Sequence, residues 1–441
     1  MKNIIGLFLL CIFSTDGILV AQVSRVEKKI ITSIERHNEE ATNLLKQVVN
    51  INSGTMNLEG VRKVGQVLSP YFDELGFETA WLEGSAFHRA GHLVARHKGT
   101  GNGPRLLLIG HLDTVFKPDS PFQFYTQVND SILAGPGVVD MKGGDLIIIF
   151  ALKALSDAGV LRDMNIDVIF TGDEEKSGSP IELSKKALVD LAKESDIALG
   201  FENGDSDFRT AVVSRRGSTG WKLTVSGNAA HSSQIFSDKV GAGAVYEASR
   251  ILTAFYVELR KEEFLTFNPG VVLAGTDVEF GSTKDGGSAF GKSNVVARKA
   301  IIKGDLRALS LEQLARAKQK MKQIVSQSLP GTDANLEFSD TGYPPMAPSE
   351  GNKHLLSIYS KVSEDLGYGE VSAVPPIRAG AADISFTTGY VKMAMDGLGL
   401  SGGNDHTINE FGEMNRLPLL TQRAAVLIYR ITHDKLLLNK R

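Results

Sequence analysis

Imidazole and carboxylate side chains stand at the ends of several apolar runs in this chain. His111 and Asp113 follow "LLLIG", Asp140 lies in "AGPGVVDMKGG", and Glu174 with Glu175 follows "VIFTG". Glu202 follows "IALGF", and His406 lies in "GGNDHTINE". Each alone reads as a turn former, a helix N-terminal charge or an exposed loop group. Together they are a donor set for divalent cations, and a thiol-free one. Cys11 is the only cysteine, and it falls within an N-terminal apolar segment. Thiolate ligands, disulfides and thiol nucleophiles are therefore excluded for a chain that has lost that segment.

The residue types suit a pair of ions. Two divalent cations about 3.5–4 Å apart need one carboxylate whose two oxygens bridge them. Each ion then needs one histidine and one further carboxylate. His111 and Glu202 can serve one ion and Glu175 and His406 the other, with Asp140 between. Glu174 stays free beside a ligand and is the candidate general base. Asp113, two residues beyond His111, can reach the second ring nitrogen and fix its tautomer.

The elements that must position these groups are legible in the periodicity. Helical spacing runs from about Glu27 to Ile51 and from Leu58 to Leu75, and "GGDLIIIFALKALSDAG" reads as a helix capped at Gly159. A further helix is expected around Pro180 to Lys193. "HLVARHKG", "RLLLIGHLDTV", "NIDVIFTGDEE" and "DIALGFE" read as strands. Strands alternating with helices indicate a mostly parallel, covered sheet, whose ligands collect outside the carboxyl ends of the strands. Near Ser214 the texture changes. "GWKLTVSG", "GVVLAGTDVEFG", "RKAIIKGDLRAL" and "ANLEFSDTGY" alternate or read as strands, with helices at about Gly241 to Lys261 and over "SLEQLARAKQKMKQIVSQSL". Two helices on a four-stranded antiparallel sheet make a separate α+β unit. The expected organisation is an export signal over 1–21, an α/β domain over 22–213 and 341–441, and the α+β unit inserted over 214–340.

The bulk numbers agree with two domains. The chain has 441 residues, 42% hydrophobic and 22% charged, with a formal net charge of −3. That charge gives no electrostatic footprint for nucleic acid. No run of eighteen apolar residues follows the N-terminal segment, so no membrane-spanning helix is expected after processing. The lysine, the apolar stretch from Ile4 to Phe13 and the small Ala21 resemble a secretory signal, which predicts a periplasmic or extracellular protein.

Five motifs, "GHLDTV", "GPGVVDMKGG", "TGDEEKSG", "GFENGD" and "DHTINE", stand in the order found in the co-catalytic zinc exopeptidases of the M20 family. The chain resembles that family, which includes glutamate carboxypeptidase, acetylornithine deacetylase, succinyl-diaminopimelate desuccinylase and aminoacylase. The resemblance implies a zinc exopeptidase-like catalytic domain with an inserted dimerisation domain, a homodimer, and two Zn2+ per subunit, with Co2+ or Mn2+ able to substitute. It implies three further positions. His231 in "SGNAAHSS" matches a histidine that reaches the partner subunit's site and steadies the oxyanion. Arg307 in "KGDLRAL" matches an arginine that forks the substrate carboxylate, and Asn294 in "KSNVVA" matches a substrate-contacting asparagine. "RAGAADISF", which contains Gly380, resembles the substrate loop, although Ala382 replaces a frequent threonine or serine. A cis peptide at Asp140–Met141 is also implied. Glu202, where aspartate is the alternative, favours the carboxypeptidase and deacylase branch.

The function this implies is hydrolysis of an amide bond next to a free C-terminal carboxylate, in a peptide or an N-acyl amino acid. The alternatives are a narrow N-acyl-amino-acid deacylase and a non-catalytic peptide-binding relative. A nucleotide-binding protein is excluded, because "GPGVVDMKGG" fits neither the dinucleotide pattern nor the P-loop.

Overall fold

The computed structural model describes residues 23–281 and 286–434. The segment read as an export signal, with Cys11, lies outside the described residues. Six strands form the main sheet, in the order Glu78–Glu83, Gly91–His97, Asn165–Thr171, Arg105–His111, Ile197–Gly200 and Met393–Met395. The last four run parallel to one another. Gly91–His97 departs from the parallel reading, being antiparallel on both sides. The short connection from Glu83 to Gly91 permits only an antiparallel return.

Both faces of this sheet are covered, which explains its continuous apolar runs. In Arg105–His111, Leu106 and Leu108 join a core with the helices Arg25–Val49, Gly143–Asp157 and Leu417–His433. Leu107 and Ile109 point the other way, into a cluster with Leu188, Leu191 and Ile384. Each of these fully buried leucines contributes on the order of 1.5–3 kcal/mol. The helix Arg25–Val49 starts at a capping box, in which Ser24 and Glu27 satisfy each other's backbone N–H groups. The single helix expected over Pro180 to Lys193 is instead two, Ile181–Ser184 and Lys186–Glu194. The break falls at Lys185, whose ammonium turns inward between Asp173 at 3.0 Å and Asp383 at 2.8 Å.

Residues 217–338 carry a second, separate sheet, in the order Thr266–Gly275, Lys299–Ala308, Gly217–Gly227 and Thr332–Phe338, antiparallel throughout. Burial along Gly217–Gly227 alternates, so Trp221, Leu223 and Val225 face the helices Gly243–Leu259 and Leu311–Val325. This core is distinct from those of the main sheet. "GVVLAGTDVEFG" is not one strand: Asp277–Phe280 leaves the sheet to pair with Gly287–Phe290. The two chain segments joining the units lie side by side, with Arg215 opposite Met346 and Ser218 opposite Tyr343. Among the described residues, no helix is long and apolar enough to cross a membrane.

Candidate metal centre

Four side chains of the expected set leave the main sheet or the loops after its strands: His111 from Arg105–His111, Glu174 and Glu175 after Asn165–Thr171, and Glu202 after Ile197–Gly200. Asp140 and His406 arrive by another route. The strand Phe411–Glu413 pairs with Ile132–Ala134 on one side and with Gly402–Gly403 on the other. That small ladder brings the turn carrying His406 beside the loop carrying Asp140. Glu410 fastens the two: its carboxylate accepts the N–H groups of Gly137, Val139 and Asp140 at 3.1, 3.0 and 3.3 Å. Gly144 has to be a glycine here, since a Cβ would lie 2.0 Å from the Phe201 carbonyl, one residue before Glu202. The Asp140–Met141 peptide is cis.

The five expected ligands form one cluster around Asp140. His111 Nε2 meets Asp140 Oδ1 at 3.1 Å and Glu202 Oε1 at 3.4 Å. His406 Nε2 meets Asp140 Oδ2 at 2.8 Å and Glu175 Oε2 at 3.3 Å. The two histidines therefore face opposite oxygens of one carboxylate. His406 adopts a left-handed backbone (φ 61°), as does Asn404 (φ 58°), a conformation that L-residues adopt at a cost and that clusters at functional sites.

The electrostatics are those of a cage short of positive charge. Burial opposes ionisation of Asp140, but its bonds to His111 and His406 outweigh it and hold the carboxyl well below the usual range. Burial, then the Asp140 charge, pushes Glu175 and Glu202 up to about 7. Burial, then the Glu202 charge, holds Glu174 well above the ordinary carboxylate range. His406 is pushed up to about 11 by its bonds to Asp140 and Glu175. Glu175 Oε1 is buried without a partner among the described residues. One imidazole nitrogen and two carboxylates on each side, with more carboxylate than cationic charge close by, suit two divalent cations.

Asp113 faces the second ring nitrogen of His111, as expected, and its carboxylate has further partners. Its carboxylate lies 3.5 Å from His111 Nδ1, while its own backbone carbonyl is nearer, at 3.1 Å. The carboxylate also accepts Glu174 N–H at 3.0 Å, Glu175 N–H at 3.2 Å and the Thr55 hydroxyl at 2.6 Å. The carbonyl is thus the closer partner of the ring, and the carboxylate positions the Glu174–Glu175 backbone. Behind Glu202, Asp396 accepts Glu202 N–H at 3.2 Å and pairs with Arg215 Nε at 2.8 Å. Arg215 also donates to the Gly380 carbonyl at 3.0 Å. Tyr343 donates its hydroxyl to the Glu174 carbonyl at 2.7 Å. Thr55, Arg215, Asp396, Glu410 and Tyr343 were not legible as site residues in the sequence.

The remaining expected residues lie on or beside the small unit. His231 is exposed, bonds Ser233 Oγ at 2.8 Å, and neighbours Asn294, whose carbonyl accepts Ser232 N–H at 2.9 Å. Arg307 donates from Nε to Asp305 at 2.7 Å. These contacts are local and do not reach the cluster around Asp140.

Comparison with known proteins points the same way. Residues 107–430 match the model of peptidase family M20/M25/M40. The chain is 26% identical over 390 residues to carboxypeptidase G2 of Pseudomonas sp. (strain RS-16), covering 87% of each. It is 33% identical over 175 residues to a succinyl-diaminopimelate desuccinylase of Acidiphilium cryptum, covering 37% of this chain and 44% of that one. The fold superimposes on aminopeptidase PepT from Bacillus cereus with a TM-score of 0.71 at 18% identity, covering 89% of this chain and 98% of that one. It also superimposes on the M20 family metallo-carboxypeptidase Sso-CP2 from Sulfolobus solfataricus, with a TM-score of 0.65 at 15% identity, covering 89% and 99%. The match extends over most of the chain, from the strand that ends at His111 to the last helix, and so the chain is a hydrolase that belongs to peptidase family M20/M25/M40.

Proposed function

We propose that this enzyme is a dinuclear metal-dependent exopeptidase that cleaves the amide bond next to a free C-terminal carboxylate. The observation that carries the reading is the sharing of Asp140, with Oδ1 toward His111 at 3.1 Å and Oδ2 toward His406 at 2.8 Å. Similarity to carboxypeptidase G2 over 87% of both chains supports the carboxypeptidase side. His111, Asp140 and Glu202 would hold one cation, and Asp140, Glu175 and His406 the other. Bound Zn2+, or Co2+ or Mn2+ in its place, supplies an activated water and a polarised carbonyl.

The chain's own residues do the proton work. Glu174 accepts a proton from the attacking water and passes it to the leaving nitrogen as the C–N bond breaks, leaving a carboxylic acid and an amine. Its buried setting raises its affinity for that proton. Asp113 holds Glu174 in place through the backbone. Arg307 forks the substrate carboxylate, with Asn294 and the Gly380 loop lining the pocket. His231 of a second copy steadies the oxyanion, so a homodimer belongs to this reading. Loss of residues 1–21 would place the enzyme outside the cytoplasm, where it scavenges peptides or acyl amino acids.

The test is release of free amino acid from a panel of dipeptides and N-acyl amino acids, after metal stripping and again after zinc is restored. Zinc-dependent release from peptides with a free C-terminus supports the reading. Release from N-acyl amino acids alone supports the second one, a deacylase, which the 33% identity to a desuccinylase favours. Silence across the panel with two ions bound would leave a non-catalytic peptide-binding relative.

A further inference from the structure

Asp405 precedes His406 in the turn between Gly402–Gly403 and Phe411–Glu413, and its side chain makes no hydrogen bond or ion pair among the described residues. An oxygen of Asp405, a ring nitrogen of His406 and an oxygen of Asp140 lie within 4.8 Å of one another. His111, Asp140 and Glu202 meet the same limit in the other half. A second observation marks the His406 side as short of a cation. Glu175 has a side chain only 7% exposed, its Oε1 is buried without a partner among the described residues, and its Oε2 faces His406 at 3.3 Å. Ligands stand about 2.0–2.2 Å from a zinc ion, so groups sharing one ion lie within roughly 4.4 Å of each other. The 4.8 Å within which the Asp405, His406 and Asp140 atoms lie is close to that limit.

We propose that Asp405 is a further protein ligand of the cation on the His406 side. The inference rests on the dinuclear reading above. It makes the two halves unequal: one nitrogen and two carboxylates around His111, one nitrogen and three carboxylates around His406. Carboxylate-rich sites suit harder ions, so the His406 half takes Mn2+ more readily than the His111 half does.

Two measurements on the full chain test this. In the Cys11→Ser background, Asp405→Cys offers a thiolate at this position and Cd2+ is the probe. A near-ultraviolet thiolate-to-cadmium band, absent from Cys11→Ser alone, is the expected result, because only direct contact produces it. Two Cd2+ bound with no band would overturn the proposal. The second measurement is Mn2+ titration of stripped wild type and Asp405→Asn in competition with a chelator. The variant should bind one ion at least about 10-fold more weakly and the other as before, which also shows that it is folded. Unchanged binding of both ions would overturn the inference while leaving the dinuclear reading standing. Wild type that binds fewer than two ions would overturn both.

Discussion

The carboxylate of Asp113 lies beneath the peptide of Glu174, accepting its N–H at 3.0 Å, and the same carboxylate takes the next N–H, of Glu175, at 3.2 Å. One buried group thus fixes both the proposed base and a proposed ligand. Asp113→Asn exchanges an acceptor for an NH2 that faces an N–H or the Thr55 hydroxyl. It should cost about 1–3 kcal/mol for the stranded donor and about 10–100-fold in turnover. Urea unfolding and kcat check this; lost stability with unchanged kcat would confine Asp113 to folding.

Glu174 and Glu175 are neighbours with different surroundings: Glu175 faces His406 at 3.3 Å, whereas no hydrogen bond holds the Glu174 carboxylate among the described residues. Glu174→Gln should lower kcat by about 10²–10⁴-fold, the worth of a general base, with the metal content unchanged. Loss of metal together with activity would show the two roles to be exchanged.

Asp396 and Arg215 form a buried ion pair, with side chains 0% and 6% exposed. Asp396→Ala strands the Arg215 charge and removes the acceptor of Glu202 N–H. A loss of about 3–5 kcal/mol is expected from breaking such a pair. Adding Arg215→Met should cost less than the sum of the single changes. Unfolding of the three variants measures the coupling, and simple additivity would deny it.

His92 is buried and neutral. Its Nδ1 accepts Gly172 N–H at 3.2 Å, so its Nε2–H donates to the Ser184 carbonyl at 2.8 Å. Burial is the main force lowering its pKa, and Lys185 adds to it, against Asp173, Asp383 and the Ser184 bond. A histidine with a depressed folded-state pKa contributes stability above its unfolded value, about 6.5, and loses it as pH falls below that. Unfolding free energies at pH 8, 6 and 5 should fall more steeply for wild type than for His92→Gln. Parallel curves would contradict the assignment.

The groups that approach Asp140 were readable because strand ends announce themselves: an apolar run stops and a His, Asp or Glu follows. The residues that hold those groups carry no such mark. Glu410 binds the Asp140 peptide from 270 positions away, and Asp396 reaches Glu202 across 194. Neither periodicity nor spacing encodes a pairing at that distance. Lys185 shows the opposite failure. Helical spacing runs through it, but the two carboxylates that draw it inward break the helix. Gly91–His97 was readable as a strand, and its direction was not, because that direction follows from pairing with Glu78–Glu83, a strand whose residues carried no clear signal.

The paired segments at Arg215–Met346 and Ser218–Tyr343 have one more consequence. Each pair exchanges two backbone hydrogen bonds, at 2.9 Å in the first and at 3.0 and 2.9 Å in the second. Facing residues that exchange both bonds stand only about 5.5 Å apart, so the way out of the larger unit and the way back are neighbours. A tight turn from Ser218 to Tyr343 would close that gap as an ordinary hairpin and leave every strand of the six-stranded sheet in its place. In evolutionary terms the small unit is a cassette: its two ends meet, so a lineage could gain, exchange or shed it without rerouting the chain beneath.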